Sequence, residues 1–466
     1  MTRTMTAEQE AHANIIAEEI KVLSADVIQE IAELLSTTPD AKLFGDTEFV
    51  VRSLVMKIIG RSFTAHLHQK KNGYDGSSIV CPQCKRSAKF QGYRERNPLS
   101  LGGQVCCKRA YYYCGACGKG CCPWDQEVGL TGLNLTPAAE RLTTLAGGIA
   151  EGFDKGHELL EEMAGIPLSE STVQRTTEAA GQRIVETFQA GKTFGDNTPW
   201  KWNLDAQGKK IAYASIDATG VPQQGRDGKK VEGRMAYVGM IFNPLPDRER
   251  VFEGLPKPGA SMQARYVSGL HALHEMGPLL RRQAGQVGMD QADTWIAITD
   301  GGNGLEAFME TNFPRVEAVI LDFWHAAEYL AKLAKALYAK DESQAETQKE
   351  DWCRILREEG GTTMIAVLEN ENWPIGIPGL KKARDDVLSY FRNQEHRMDY
   401  PAYQANGWYI GSGAVESACK SVVNQRLKGT GMRWGVSGSH EVCHVRALYR
   451  SERAQWKAFW SREIRK

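Results

Sequence analysis

The sequence lacks an excess of charge of either sign, a long apolar run and any internal repeat. Its 466 residues include 57 Lys and Arg and 57 Asp and Glu, so the formal net charge is zero. This balance excludes a uniformly cationic coat for nucleic acid but is compatible with a local basic surface. No apolar run reaches the roughly 18 residues that span a bilayer, and the N-terminus lacks the apolar core of a signal peptide. We therefore expect a cytoplasmic protein with no membrane partner.

The chain is longer than one hydrophobic core usually organises, so several domains are expected. Apolar periodicity predicts helices over 8–36, 47–64, 136–190 and 261–285, and again from about 322 to 400. It predicts strands over 211–217, 234–242, 248–254, 294–299 and 316–321. The resulting segments are an N-terminal helical region (1–75), a cysteine segment (76–130), a helical segment (131–200), a strand-containing region (201–330), a helical stretch (331–405) and a C-terminal helix with a basic tail (406–466).

Cysteine is concentrated in one short stretch: eight of the eleven cysteines lie between positions 81 and 122. In a reducing compartment, such density favours metal ligation over disulfides. Two CxxC pairs can supply the four sulfur ligands of a tetrahedral zinc site. We therefore predict a zinc ribbon with a structural Zn²⁺ on Cys81, Cys84, Cys114 and Cys117, and a β-hairpin through 88–112 between the pairs. Rival ligands are Cys106, Cys107, Cys121 and Cys122; a redox-active CxxC and buried unligated cysteines are the alternatives.

The same segment is rich in basic residues interleaved with tyrosines, among them Arg94, Arg96 and Arg109. Such a surface suits contact with phosphates and bases.

Residues 157–185 have the pattern of a helix-turn-helix. The first helix is expected to end at Gly165, and Ser169 or Ser171 can cap the second. The exposed start of the second helix would offer polar groups to base edges or phosphates. These candidate DNA-binding residues are Ser171, Thr172, Gln174 and Arg175. Two packed helices that make no DNA contact are the alternative.

Two predicted strands end on an aspartate that small residues follow. IAYASIDATG ends its strand on Asp217, and TWIAITDGGNG ends its strand on Asp300. Carboxylate oxygens are the hard ligands that Mg²⁺ prefers. A strand-ending aspartate is also a common turn former or helix cap, so either residue alone is weak evidence for a metal site.

The stretch GSGAVESACKSVVNQRLKGTGMRWG (411–435) predicts an amphipathic helix with one carboxylate, Glu416. The interpretation without a functional role is a surface salt bridge to Lys420, one turn further along. With Ser412 as N-cap, a capping box would need Glu or Gln at 415, which is Val. Glu416 is therefore not explained by that cap, although Gly413 as N-cap would partly restore the explanation.

The order of two strand-ending aspartates and a helix-borne glutamate resembles the catalytic core of the DDE transposases. FPRVEAVILDFWHAAEYL is similar to the segment that carries a D/CxxH signature in several of these families, here Asp322 to His325. The block from Ile410 to Trp434 resembles the C-terminal signature of ISKra-type bacterial insertion-sequence transposases, as does the Arg-Ala-Tyr-Tyr-Tyr-Cys run upstream. The similarity covers about 45–450.

The resemblance implies an α/β RNase H-like core. A large helical insertion would interrupt this core, and the N-terminal helices, the zinc ribbon and the helix-turn-helix segment would precede it. It further implies that Asp217, Asp300 and Glu416 hold two Mg²⁺ or Mn²⁺ ions for phosphodiester cleavage and strand transfer. Asp322 and His325 would position the DNA, although Asp322 can instead simply cap a helix.

The resemblance also implies DNA partners, namely the element ends and the target, and a homo-oligomer paired through the N-terminal helices. Phosphate contacts near the carboxylates are expected from Lys420, Asn424, Arg426, Lys428, Arg433 and Trp434. Two alternatives remain: a DNA-binding regulator with an inactive core, and an RNase H-like nuclease without transposition activity.

Overall fold

The computed structural model describes residues 5–70, 72–130, 132–244, 262–411 and 413–461 of a mixed α/β protein. The chain divides into two compact units, Met1–Ala179 and Ala180–Lys466. The predicted strand at 248–254 and the candidate cap Ser412 lie outside the described residues. Over those described ranges, no helix is both long and apolar enough to cross a membrane.

The first unit begins with two long helices, as the periodicity predicted: α1 (Ala7–Thr37) and α2 (Asp46–His68). Thr6 begins α1 through a capping box, because its hydroxyl accepts from the Gln9 amide while the Gln9 side chain accepts from the Thr6 amide. The two helices pack along each other and are joined by an ion pair between Arg61 and Asp26.

A four-stranded antiparallel sheet follows, with the order β1-β2-β5-β6. Its strands are β1 (Ser78–Val80), β2 (Ser87–Arg96), β5 (Cys107–Cys114) and β6 (Lys119–Cys121), and the short strands β3 (Leu99–Ser100) and β4 (Gly103–Gln104) pair with each other. The predicted hairpin between the two CxxC pairs is confirmed, since β2 and β5 are antiparallel neighbours.

Helices occupy the rest of the first unit. They are α3 (Pro123–Glu127), α4 (Pro137–Ile149), α5 (Phe153–Ala164) and α6 (Glu170–Gln189), the last of which continues into the second unit. Gly165 ends α5 in the left-handed conformation at φ 63°, as predicted. The amides of Thr172 and Val173 bond to the Ser169 carbonyl, so Ser169 precedes the first turn of α6 and Ser171 lies inside it.

The second unit is built on a mixed sheet with the order β10-β9-β8-β11-β12, and β7 pairs with β8. The strands are β7 (Asn203–Leu204), β8 (Lys210–Gln224), β9 (Lys230–Asn243), β10 (Gln263–Gly269), β11 (Thr294–Thr299) and β12 (Val316–Leu321). β10, β9 and β8 are antiparallel neighbours, whereas β8, β11 and β12 are parallel. Apolar side chains of these strands form the buried centre of the unit.

The bounds of β11 and β12 match the predicted strands at 294–299 and 316–321. The predicted helix at 261–285 was wrong in its first part, because Gln263–Gly269 pairs with β9 along its whole length. Tyr266 and Val267 in that segment have the aromatic and β-branched side chains that favour a strand.

The remaining helices of the second unit are α7 (Leu273–Gln286), α8 (Leu305–Asn312), α9 (Phe323–Leu337), α10 (Glu342–Asn370), α11 (Leu380–Gln394), α12 (Tyr400–Ala405), α13 (Gly413–Ala418), α14 (Gln425–Leu427), α15 (Val436–Arg450) and α16 (Arg453–Ser461). The helical stretch predicted up to residue 400 is confirmed by α9 to α11. Gly360 interrupts α10 at φ 86°, which only glycine adopts readily.

Candidate active site

The parallel strands bring three aspartates to one edge of the sheet. Each residue of β8 lies opposite the residue 83 positions later in β11, starting with Ile211 and Thr294. The same register, extended past the strand ends, places Asp300 beside Asp217, and the register of β11 with β12 places Asp322 next in the row. Neighbouring strands are about 4.8 Å apart. The predicted proximity of Asp217 and Asp300 follows directly from this pairing.

Asp217 does not end its strand, which corrects the prediction made from the sequence. β8 continues to Gln224 and pairs with β9 throughout this extension. On its other side, β8 has lost its neighbour at this point, because β11 ends at Thr299. Asp217 therefore lies at the point from which β8 has a neighbouring strand on one side only.

The Asp217 carboxylate is half-buried and closely held. It accepts from its neighbour's amide, Ala218 N, at 2.6 Å and from the Cys419 thiol. Burial raises the pKa of Asp217 above its ordinary value, and the nearby charge of Asp300 raises it further. A carboxyl whose pKa is shifted by burial and by a charged neighbour marks a candidate functional site.

Asp300 is held by its backbone as well as by its side chain. Its Oδ1 accepts from the Gly302 amide at 2.9 Å. The buried guanidinium of Arg397, which lies between α11 and α12, donates to the Thr299 hydroxyl at 2.6 Å and to the Asp300 carbonyl at 3.4 Å. Arg397 also donates to the Val319 carbonyl of β12 at 3.0 Å. The helical stretch thus fixes the ends of both parallel strands, a role that the sequence did not reveal.

Aromatic rings form one wall beside Asp300. Tyr329 and Tyr390 stack at a centroid distance of 4.0 Å, and the His325 ring is 5.7 Å from the first and 5.9 Å from the second. A Cβ atom on Gly301 would lie 2.4 Å from the Tyr390 ring. The small residue after Asp300 is therefore required by close packing.

Asp322 caps α9, because its Oδ1 accepts from the Trp324 amide at 3.0 Å. The side chain is 5% exposed, so the capping interpretation is confirmed. His325 lies one turn into the helix, half-buried and close enough to Asp217 to lower that carboxyl's pKa. A role of either residue in positioning DNA stays a prediction.

The helix that carries Glu416 packs against β8 and β9 through its apolar side, which includes the buried Val415. Glu416 itself is exposed and makes no hydrogen bond or ion pair with any residue that the structure describes. The salt bridge to Lys420 is therefore not formed. In the described part of the chain, the carboxylates of Asp217, Asp300 and Glu416 do not all lie within 4.8 Å of one another.

A π-helical turn at Cys419–Asn424 follows α13 and breaks the regular spacing that the sequence suggested. Such a turn bonds i to i+5 and leaves backbone groups without helical partners. The buried Arg446 of α15 meets this need by donating to the carbonyls of Val422, at 2.6 Å, and Ser421. Burial lowers the pKa of Arg446 to about 10.

The π turn also changes where the predicted phosphate-binding residues point. Asn424 accepts from the Thr219 hydroxyl of β8 at 3.1 Å, and Lys428 donates to the same hydroxyl. The amphipathic helix predicted over 411–435 is therefore wrong as a regular α-helix, because Cys419–Asn424 is π-helical. Lys420 and Lys428 remain exposed.

Arg426 and Trp434 are buried, at 1% and 6% exposure, and the guanidinium lies 4.8 Å from the centre of the indole ring. Neither side chain is accessible to a phosphate in this structure, so their contact with DNA has no support here and stays a prediction. Arg433 is exposed, and it donates to the Gly228 carbonyl at 3.2 Å. Its contact with DNA stays a prediction.

At the start of α6, Ser171, Gln174 and Arg175 are exposed, and Thr172 is half-buried. Arg175 donates to the Ser171 carbonyl at 3.1 Å within its own helix. Buried Ala146, Leu160 and Val173 pack α4, α5 and α6 together, so the candidate residues lie on the outer surface of a packed helical cluster. Their contact with DNA stays a prediction.

The first unit brings the four predicted cysteines together. Sγ of Cys81 lies 3.8 Å from Sγ of Cys117, and Sγ of Cys84 lies 3.5 Å from Sγ of Cys114. All four sulfur atoms lie within 4.8 Å of one another, an arrangement that can bind a metal ion such as zinc. The Cys84 amide, the largest influence, lowers the pKa of the Cys81 thiol to about 7. A thiolate is the form that binds metal.

The rival cysteines do not join this group. Cys107 belongs to a separate buried cluster with Trp124 and Leu130, and its thiol donates to the Arg96 carbonyl at 3.2 Å. The expected basic surface is also smaller than the sequence suggested. Arg96 and Arg109 pair with Asp125 at 3.0 and 2.7 Å.

No protein-family model and no curated protein sequence matches this chain. The functional conclusion therefore depends on the geometry of the site and on the residues themselves.

Proposed function

We propose that the chain is a DDE transposase with an RNase H-like core in its second unit. The observation that carries the proposal is the placement of Asp217 and Asp300 side by side at one edge of a mixed sheet. The helix that bears Glu416 packs on β8, the strand of Asp217. A sheet of three antiparallel strands continued by two parallel strands supports an RNase H-like core. Fold alone would not support a reaction, so the argument depends on the carboxylates.

The donor set fits divalent cations that prefer oxygen. Asp217 and Asp300 would hold such ions, and the partnerless Glu416 carboxylate is free to complete the set. Two Mg²⁺ or Mn²⁺ ions bound there would activate an attacking hydroxyl and stabilise the leaving oxygen of a phosphodiester. Because the three carboxylates, among the residues that the structure describes, do not all lie within 4.8 Å of one another, we expect the Glu416 helix to move when ions bind.

The other residues of the site would hold its geometry. Cys419, one turn after Glu416, donates to Asp217 and so fixes the spacing between the helix and β8. Arg397 fixes the backbone of Asp300. The exposed Lys420 and Arg433 would contact the phosphates of the DNA strand that enters the site.

The first unit would supply recognition of the element ends. Its cysteine cluster would hold a structural Zn²⁺, which would stabilise the ribbon and its exposed residues Arg94 and Tyr93. The exposed start of α6 would add polar contacts. We further propose that the protein acts in the cytoplasm as a homo-oligomer, because cutting and joining two element ends needs two active sites.

The test is strand transfer with a duplex that carries the inverted repeats flanking the coding sequence, in Mg²⁺. We expect the wild-type protein to join the ends to a target plasmid, and Asp217→Asn and Glu416→Gln to lose this activity by roughly 1,000-fold or more, the effect of several kcal/mol at about 1.4 kcal/mol per tenfold. Asp290→Asn is the matched control, since Asp290 is exposed at the opposite end of β11.

Three outcomes separate the hypotheses. Strand transfer that survives Asp217→Asn would exclude the proposal. Cutting without any joining would favour an RNase H-like nuclease. Tight, salt-sensitive binding without cutting would favour a regulator that uses only the ribbon and α6.

A further inference from the structure

Three histidines form a second cluster of possible metal ligands. The cluster lies in the second unit, near the C-terminal end of β10. His271 lies in the connection from β10 to α7, while His440 and His444 lie one turn apart on α15. One nitrogen from each ring can be chosen so that all three lie within 4.8 Å of one another. The cluster is separate from the carboxylates, because β9 lies between β10 and β8.

The rings face one another closely. Nε2 of His271 lies 2.9 Å from Nε2 of His444, and the ring of His440 is 4.6 Å and 4.8 Å from the other two by centroid. Two nitrogens on a tetrahedral zinc ion at about 2.0–2.1 Å each are about 3.3 Å apart. A widening of this one separation by a few tenths of an ångström would bring it to the spacing of two zinc ligands.

The backbone leaves room at the nitrogens. A Cβ atom on Gly269 would lie 2.9 Å from Nε2 of His444 and 3.0 Å from Nε2 of His271. Gly269 has no positive φ that would demand glycine. The missing side chain is thus explained by space beside the two ligand atoms rather than by backbone conformation.

The surroundings also suit metal ligation. Glu275 lies 3.6 Å from Nδ1 of His271, the position in which a carboxylate orients a ligating imidazole. Nδ1 of the buried His444 has no hydrogen-bond partner among the described residues, so the cluster is not a complete hydrogen-bond network.

We propose that His271, His440 and His444 form a structural site for one divalent transition-metal ion, with zinc the best match, that ties α15 to the end of β10. Imidazole nitrogens suit zinc and its neighbours rather than Mg²⁺. Three protein ligands leave one position for water. The proposal is independent of the transposase reaction.

The three ligands are not equivalent. The Leu270 amide donates to Nδ1 of His440 at 3.0 Å in the ion-free structure, so this ring carries its proton on Nε2. His440 must turn out of that hydrogen bond to bind through Nε2. We therefore assign the stronger binding to His271 and His444.

The test is a titration of the zinc-free full-length protein with Co²⁺ in excess Mg²⁺, which occupies oxygen-ligand sites. We expect two equivalents to bind: one with the charge-transfer absorption of cobalt thiolate, from the cysteine cluster, and one with ligand-field bands only. His271→Gln should weaken the second equivalent by roughly 100-fold or more and leave the thiolate absorption unchanged. His440→Gln should weaken it less.

His274→Gln is the matched control, because His274 is exposed, close in sequence and outside the cluster. Gly269→Ala should abolish the second equivalent without removing a ligand, and it keeps the test valid if a histidine variant fails to fold. Absence of any equivalent with ligand-field bands only in the wild-type protein would overturn the proposal. So would a second equivalent of unchanged affinity in folded His271→Gln.

Discussion

The cysteine cluster and the carboxylate site are assembled in opposite ways. Each half of the cysteine cluster is a local CxxC turn, and one antiparallel hairpin joins the two halves. The carboxylates come from β8, the end of β11 and a helix more than 100 residues further on. The four sulfur atoms lie within 4.8 Å of one another, whereas in the described part of the chain the three carboxylates do not.

This difference follows from charge and solvation. Cysteine can be buried as a neutral thiol, so four of them tolerate close packing before a metal binds. Carboxylates repel one another, and burial adds to the cost, as the raised pKa of Asp217 indicates. A site of this second kind is held in place by the surrounding protein. Here Arg397, Cys419 and Arg446 hold it.

The largest effect expected from this comparison is on the ribbon. Cys84→Ser, or removal of zinc by a chelator, should unfold β1, β2, β5 and β6, because structural zinc contributes about 10–16 kcal/mol of apparent binding energy. Hydrogen exchange should show loss of amide protection in 78–121 and unchanged protection in the second unit.

Cys122→Ser serves as the control, since Cys122 lies in the same segment but outside the group of four. Full protection of β2 and β5 in Cys84→Ser would mean that the hairpin is stable without metal and that the cysteines serve another purpose.

The difference between the two sites explains how much of the structure could be predicted from the sequence. Strands β11 and β12 were predicted at their observed bounds, because each is a short apolar run between turn signals. The CxxC spacing predicted the correct four cysteines for the same reason, since all the required information is local. Gln263–Gly269 was assigned to a helix because only its pairing with β9 makes it a strand.

The sequence predicted the acidic residues of the candidate site but not the residues that hold them in place. Asp217 and Asp300 could be found as residues after apolar runs, although β8 continues beyond Asp217. The structure buries Arg397, Arg426 and Arg446, and nothing in the sequence around them indicates this. Burial of an arginine depends on carbonyls from distant segments, which no local pattern reveals.

The second prediction concerns the support of the carboxylate site. Arg397→Met should destabilise the second unit by about 3 kcal/mol, because several carbonyls of β11 and β12 would lose a charged donor. Chemical denaturation followed by tryptophan fluorescence measures this loss. Arg392→Met should change stability by less than about 1 kcal/mol, since Arg392 pairs with Glu369 on an exposed surface. Equal losses in both variants would remove Arg397 from its assigned role.

The third prediction is a gain in stability rather than a loss. Asp217→Asn should stabilise the ion-free protein, because a half-buried carboxylate with a raised pKa opposes folding at neutral pH. A gain of roughly 1 kcal/mol corresponds to about 2–4 °C in the unfolding temperature. A carboxyl whose pKa is higher in the folded than in the unfolded state lowers the stability of the protein at pH values above the unfolded-state pKa. The gain from Asp217→Asn should therefore vanish in acid. Calorimetry at neutral and acidic pH checks both, and a lower unfolding temperature at neutral pH would contradict the electrostatic account.

The smallest effect is expected at Lys420, the exposed cation nearest to Glu416 in sequence. Lys420→Gln should leave stability within about 0.5 kcal/mol, because the side chain is exposed and makes no ion pair with Glu416. If a phosphate binds it, DNA affinity should fall several-fold and the salt slope of binding should decrease by about one. Lys381→Gln, at the exposed start of α11, should leave both quantities unchanged. An unchanged salt slope in Lys420→Gln would return this lysine to the role of an ordinary surface residue, while the carboxylate assignment would still depend on Asp217 and Glu416.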